Sequence, residues 1–257
     1  MIKLLLTSSG VTTPAIKDEL IRLLGKPIKE SSALFIPTGV YPFVGGANYA
    51  WWPIEGEKRP ALVGLGWKSM GLLEPTALES IDKDVWVQSV EQADALLVWG
   101  GDPLYLAYWF ERSGLAAVLK SLNKDLVYVG VSAGSVAVCS TIGETYWDKR
   151  AGAGTPVSSE EVTFQTKKGA ATANVIIAKG VGLTDFAIIP HYNNPDHTDA
   201  CGENAELWAA KIPAKVYALS EHSAISVDTG KLEVVGDGDW KIFNEERSKS
   251  KRLVVVS

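Results

Sequence analysis

Residues 130–134 read Gly-Val-Ser-Ala-Gly, a full match to the G-x-S-x-G pattern with a serine at its centre. An apolar run, Leu126 to Val131, precedes Ser132, and a helix-forming stretch, Ala133 to Ser140, follows it. That is the strand–turn–helix setting a nucleophile elbow requires. Small residues around the serine suit a tight turn whose backbone comes close to both helix and substrate. Such a turn lifts the hydroxyl beyond the carboxyl edge of the sheet. It also aims the Ala133 amide at the space where an oxyanion would form. A serine hydroxyl is a weak nucleophile at neutral pH and needs a base beside it. The chain has three histidines. His191 follows the apolar strand Phe186 to Ile189 and Pro190, so it too is expected at the sheet's carboxyl edge, whereas His197 and His222 lie in polar, loop-like surroundings. His191 is the expected base.

A carboxylate is then needed to orient the imidazole and to stabilise its charged form. Glu221 lies two residues beyond the strand Val216 to Leu219, again at a carboxyl end. Asp148 and Glu144, on the segment just after the elbow helix, compete with it, and spacing does not choose among the three. Gly100-Gly101 follows the strand Ala95 to Trp99, and glycines there let a backbone amide approach a substrate unobstructed. Gly101 is the expected second oxyanion donor, and Asp102, next in the loop, is expected to face the substrate.

Gly100-Gly101-Asp102, Gly130 to Gly134, Pro190-His191-Tyr192 and Leu219-Ser220-Glu221 occur in the order seen in the peptidase E (S51) family, which includes the cyanophycinases. The chain resembles that family from its first strand to about Val235, least in the segment after Thr38. The resemblance implies an α/β fold akin to class I glutamine amidotransferases, with serine in place of their cysteine. It implies a Ser-His-Glu triad falling on Ser132, His191 and Glu221, oxyanion amides at Gly101 and Ala133, and neither metal nor cofactor. The family also gives a role to an acidic residue after the elbow helix, and Asp148 lies nearest to it. The expected substrate is a small peptide or isopeptide, cleaved through an acyl-enzyme. Members that act on aspartyl dipeptides carry arginines in the helix after the histidine. The corresponding stretch here, Gly202 to Lys211, has no arginine and only Lys211 as a cation, leaving Arg150 or Lys149 as substitutes. An esterase, or a homologue that binds a small molecule or peptide without chemistry, are the alternative functions.

These residues must be positioned by regular elements. Ile2 to Leu6 reads as a buried strand ending at Ser8-Ser9-Gly10. Thr13-Pro14 reads as an N-cap and first helical residue, with Ile16, Leu20, Leu23 and Leu24 on one face and Gly25 as the stop. Ala33 to Ile36 is the next strand. Residues 38–66 are rich in Gly, Pro and aromatics with no clear period, and read as a long loop or insertion that is either a lid or pocket wall or a packed excursion with no part in the chemistry. Val85 to Val87 reads as a short strand and Ser89 to Ala93 as a helical turn. Leu104 to Arg112 and Leu115 to Leu122 read as helices. Later segments look more β-like: Asn174 to Ala178, Val216 to Leu219, Ala224 to Val227 and Leu232 to Val235, with a turn at Asp228 to Gly230. The expectation is one α/β domain over residues 1–257. It has three layers, a mainly parallel central sheet with helices on both faces, and a small β-hairpin near the C-terminus.

Composition agrees with a well-buried interior: the chain has 257 residues, 46% of them hydrophobic, and a formal charge of −5. That charge argues against nucleic acid or an anionic membrane as partner. The basic run around Arg247, Lys249, Lys251 and Arg252 reads as a solvated tail or hairpin rim. The N-terminus lacks the layout of a signal peptide, and no stretch approaches the ~18 apolar residues of a spanning helix. Cys139 and Cys201 are too few and too far apart for a metal or redox motif, which suits a reduced, cytoplasmic setting. The nine tryptophans fit core and pocket wall. Parallel-sheet proteins with apolar surface helices often pair, so a homodimer is a candidate state with no interface identified.

Overall fold

The computed structural model describes residues 2–55 and 62–249. In chain order the first half contains β1 (Ile2–Thr7), α1 (Pro14–Leu24), β2 (Ser32–Ile36), α2 (Gly46–Glu55), β3 (Ser69–Leu72), α3 (Lys83–Gln92) and β4 (Ala95–Val98). It continues through α4 (Pro103–Arg112), α5 (Leu115–Ser121), β5 (Leu126–Val131) and α6 (Ala133–Val136). The second half adds β6 (Thr141–Tyr146), β7 (Pro156–Thr166), β8 (Gly169–Lys179), β9 (Ala187–Ile189), α7 (Gly202–Lys211), β10 (Val216–Leu219), β11 (Ser223–Asp228), β12 (Lys231–Gly236) and β13 (Trp240–Phe243).

Seven strands form the main sheet in the order β12-β11-β1-β5-β4-β2-β3. The five strands from β1 to β3 in that order run parallel, and the β11–β12 hairpin closes one edge antiparallel. Because side chains alternate along a strand, successive residues feed opposite faces. Leu4 and Leu6 join a core with Trp86 and Val90 of α3, Phe110 of α4 and Leu119 of α5. Leu5 joins Ile16, Leu20 and Leu23 of α1 on the other face. Two cores on two faces of one parallel sheet make the α/β, three-layer arrangement. Thr7 of β1 pairs with Val131 of β5, and Val98 of β4 pairs with Gly130, which brings the carboxyl ends of the three strands to one edge.

Two smaller sheets accompany the main one. β9, β10 and β13 form one of them, so the strands leading to His191 and Glu221 lie outside the central sheet, contrary to the expected place of His191 on its edge. β6, β8 and β7 form an antiparallel sheet whose inner face joins Trp208 of α7 in a third core.

Several local expectations are corrected. Residues 38–66 hold α2 rather than loop alone, and residues 56–61 of that stretch lie outside the described set. This helix hides its period by exposing Trp51, Trp52 and Ile54 while Tyr49 and Ala50 pack on the core. Val85 to Val87 lies within α3, capped by the Asp82 side chain at the Asp84 amide. Its buried residues, Trp86 and Val90, are four apart, which is the helical period. The residue pattern does not mark β3, β6, β7 or β13 as strands, and the helix after Ser132 stops at Val136.

The Thr13 side chain accepts from the Ile16 amide and Gly25 ends α1 with φ +69°, as capping chemistry predicts. Asp102 does the same for α4 and more. One carboxylate oxygen accepts from the Tyr105 amide at 3.0 Å and the Tyr146 hydroxyl at 3.0 Å. The other accepts from Arg150 Nε at 2.9 Å. Asp102 is 2% exposed and the Arg150 side chain 11%, so this buried pair joins the edge of the main sheet to the segment after β6. Removing one partner strands the other charge. Asp102→Ala is expected to lower stability by about 3–5 kcal/mol, read as a lower urea midpoint at unchanged slope. An unchanged midpoint would contradict this linking role.

Candidate active site

The site is built at the carboxyl ends of β1 and β5. Ser132 has φ +50° and ψ −116°, a conformation rare for a non-glycine residue. The turn fits only because its neighbours are glycines. A Cβ on Gly130 would lie 2.7 Å from the Ser135 nitrogen, and one on Gly134 would lie 2.3 Å from the Val98 carbonyl oxygen. Thr7 fixes the turn from the adjacent strand. Its carbonyl accepts from the Ser132 amide at 3.0 Å and the Ser135 hydroxyl at 2.8 Å, and its own hydroxyl donates to the Gly130 carbonyl at 2.7 Å.

Ser132 Oγ lies 2.9 Å from His191 Nε2, and His191 Nδ1 lies 2.8 Å from Glu221 Oε1. Ser8 sets this second pair: its hydroxyl accepts from the His191 amide at 3.1 Å and donates to the Leu219 carbonyl at 2.6 Å. Asn194 Nδ2 donates to the same Glu221 oxygen. Burial alone would raise the Glu221 carboxyl, but hydrogen bonds from His191 and Asn194 and the nearby imidazoles outweigh it and hold it below its ordinary value. The His197 ring stacks on His191 with centroids 4.1 Å apart and planes 13° apart. Desolvation in that stack, then the neighbouring His191, lowers its affinity for a proton. His191 thus has a carboxylate at one nitrogen, a serine at the other and an aromatic plane on one face. Such a chain can take a proton from Ser132 and stabilise the resulting imidazolium.

Of the three candidate acids, only Glu221 meets the imidazole among the described residues. Asp148 is exposed, and Glu144 lines a neighbouring chamber. Among the described residues neither the Gly101 nor the Ala133 amide donates to a protein acceptor, and Ala133 is the first residue of α6. Gly101 has φ +123°, and a Cβ there would lie 2.1 Å from the Gly39 carbonyl oxygen, so only glycine fits. Asp102, expected to face the substrate, is instead buried with both oxygens on protein partners. Of the three candidate cations, Lys211 pairs with Glu160 and Arg150 with Asp102, while Lys149 is exposed.

Two chambers meet at Gly101, Ser132, His191 and His197. One, of about 450 Å³, is walled by Val40, Phe43, Tyr49, Trp52 and Trp99, so the stretch after Thr38 does form pocket wall. The other, of about 390 Å³, is walled by Glu144, Trp147, Asp196, Asp199 and Trp208. Thr7, Ser8, Asn194 and His197 were not singled out as site residues from sequence. Ser8-Ser9-Gly10 reads as a plain turn, and its role depends on strands far away in sequence. No three His, Cys, Asp or Glu side chains among the described residues group to hold a metal, and no described helix is long and apolar enough to cross a membrane.

Comparison with known proteins bears on the family and the fold. The family model of peptidase family S51 matches residues 4–235. An uncharacterized peptidase of Listeria monocytogenes is 25% identical over 135 residues, which is 52% of this chain. The match spans 56% of that relative's length. A crystal structure of a candidate peptidase E protein from Listeria monocytogenes EGD-e superposes with a TM-score of 0.55 at 18% identity. It covers 93% of this chain and all of that one. A peptidase from an acI-B1 Actinobacterium gives a TM-score of 0.58 at 18% identity, over 93% of this chain and 89% of its own. At such identities the two structures speak for the fold alone.

The lowered Glu221 carboxyl has a consequence for stability. A depressed folded value contributes stability above the ordinary 4.5, and that contribution is lost as pH falls through the depressed value. Glu221→Gln is therefore expected to be less stable than the parent at neutral pH, with the gap closing below 4.5. Urea titrations of both proteins across that range check it, and a gap independent of pH would contradict it.

Proposed function

The chain belongs to peptidase family S51, and from that premise we propose that it hydrolyses small peptides or isopeptides through an acyl-enzyme on Ser132. The observation that carries this reading is the unbroken chain from Ser132 Oγ to His191, at 2.9 Å, and from His191 to Glu221, at 2.8 Å. Ser132 Oγ attacks the carbonyl carbon while its proton passes to His191 Nε2. Glu221 holds Nδ1–H and balances the imidazolium charge. The Gly101 and Ala133 amides donate to the oxyanion of the tetrahedral intermediate. His191 then gives its proton to the leaving amine, the C–N bond breaks, and the acyl group stays on Ser132. Water then attacks the acyl carbon while giving a proton to His191, the bond to Ser132 Oγ breaks, and His191 returns the proton to Oγ as the acid leaves.

Preorganisation supports the same reading. The strained turn, the two unengaged amides and the fixed imidazole need no rearrangement before attack. Chambers of about 450 and 390 Å³ on either side of the serine suit short substrates rather than folded proteins.

A fluorophosphonate probe is expected to react with the protein at Ser132 and nowhere else, as mapped by mass spectrometry. Ser132→Ala is expected to abolish that adduct and to lower kcat/KM on any cleaved peptide by on the order of a thousandfold or more. Turnover retained by purified Ser132→Ala protein would overturn the proposal.

A further inference from the structure

Resting on the assignment of Ser132 as nucleophile, we propose that the chamber of Glu144, Asp199, Trp147 and Trp208 is a cation-selecting subsite. The preferred peptide then carries a protonated amine on that side of the scissile bond. The chamber opens directly on Gly101, Ser132 and His191, so a group held in it belongs to a residue next to the reacting carbonyl.

The electrostatics have one sign. Glu144, Asp196 and Asp199 line the chamber, and no lysine or arginine is among its lining residues. Arg150 pairs with Asp102 and Lys211 with Glu160. Both inner carboxylates are fixed by one residue, since Thr145 gives its amide to Glu144 at 3.1 Å and its hydroxyl to Asp199. Asp199 is only 6% exposed. Burial, then the like charges of Asp199 and Asp102, push the Glu144 carboxyl up to about 8. Crowding of like charges beside a nucleophile is a cost that a bound cation relieves.

The tryptophans supply an independent indication. Trp208 lines the chamber and is 3% exposed, and its indole N–H is buried without an acceptor among the described residues. An orphaned buried donor is unfavourable until a ligand oxygen meets it. A peptide carbonyl beside an amine offers both the acceptor and the charge, which a bare ion does not. Trp147 is 44% exposed and packs against Phe164 with ring centroids 5.7 Å apart. Aromatic faces beside carboxylates are a recurring setting for ammonium groups. The opposite chamber is apolar and aromatic apart from its serines and histidines, and it too has no lysine or arginine. Among the described residues, neither side of Ser132 therefore offers a cationic partner to an aspartyl or glutamyl side chain.

The amine could come from a lysine-type side chain or from a free N-terminus, and binding separates the two. With Ser132→Ala protein, calorimetry would compare N-acetylated tripeptide amides whose central residue is lysine, norleucine or glutamate. A fourth peptide carries norleucine with a free N-terminus. The lysine peptide, or the free-amine peptide, is expected to bind at least tenfold more tightly than acetylated norleucine, and the glutamate peptide more weakly than either. Whichever of the two gains affinity names the source of the amine. Glu144→Gln combined with Asp199→Asn should bring the favoured ratio close to one. If that double variant gives no cooperative melt, Asp196→Asn, at the exposed edge, should still reduce the ratio. Equal affinities for all four peptides, a preference for glutamate, or no binding at millimolar concentration would each overturn the subsite. Because the readout is binding to a protein lacking the serine hydroxyl, it stands apart from whether the hydrolytic reading holds.

Discussion

Ser132 occupies a backbone conformation, φ +50° and ψ −116°, that an L-residue adopts only when its surroundings leave no alternative. Those surroundings are the close approaches at Gly130 and Gly134 and the two hydrogen bonds accepted by the Thr7 carbonyl. Thr7 ends β1, and Ser8 follows it. Ser8 ties the His191 backbone to the Leu219 carbonyl, two residues before Glu221. One dipeptide at the end of the central strand thereby sets the distances among three residues drawn from separate segments. The buried strands of the parallel sheet are rigid enough to hold such a turn, and the cost of the turn is met by their packing.

The same fold gives two carboxylates opposite environments. Glu221 receives hydrogen bonds from His191 and Asn194 and remains charged below its ordinary value despite burial. Glu144 is desolvated beside Asp199 and Asp102 and is pushed the other way. The first is arranged to stabilise a cation made during the reaction, the imidazolium. The second is arranged to gain from a cation brought by a ligand. Asp102 belongs to neither class: its charge is neutralised by Arg150 and holds the architecture beneath the Gly101 turn.

Much of this was legible in residue order, and the limits have physical reasons. The elbow was readable because pattern and context agree: an apolar run, a serine between glycines, then a helix start. His191 and Glu221 were readable as residues just past apolar strands. Which sheet those strands join is a matter of non-local pairing, and local pattern does not record it. β9 and β10 accordingly pair with β13 rather than with the main sheet. Asp102 was misplaced although a signal was present, since Asp102-Pro103 is the same cap-and-proline pair as Thr13-Pro14. α2 was hidden because its tryptophans face outward, and α3 because a helix with two buried residues four apart leaves little period to see. The Thr7-Ser8 anchor and the stacked His197 arise only on folding, from residues with ordinary local sequence.

The central claim is that Ser132 attacks and carries the acyl group. Its most direct test is rapid-quench mass spectrometry during turnover of an activated ester or peptide substrate. The account predicts a transient acyl adduct on the peptide containing Ser132, formed no more slowly than product and decaying as substrate is exhausted. Steady product release with no adduct at Ser132, or with the acyl group on another residue, would contradict it.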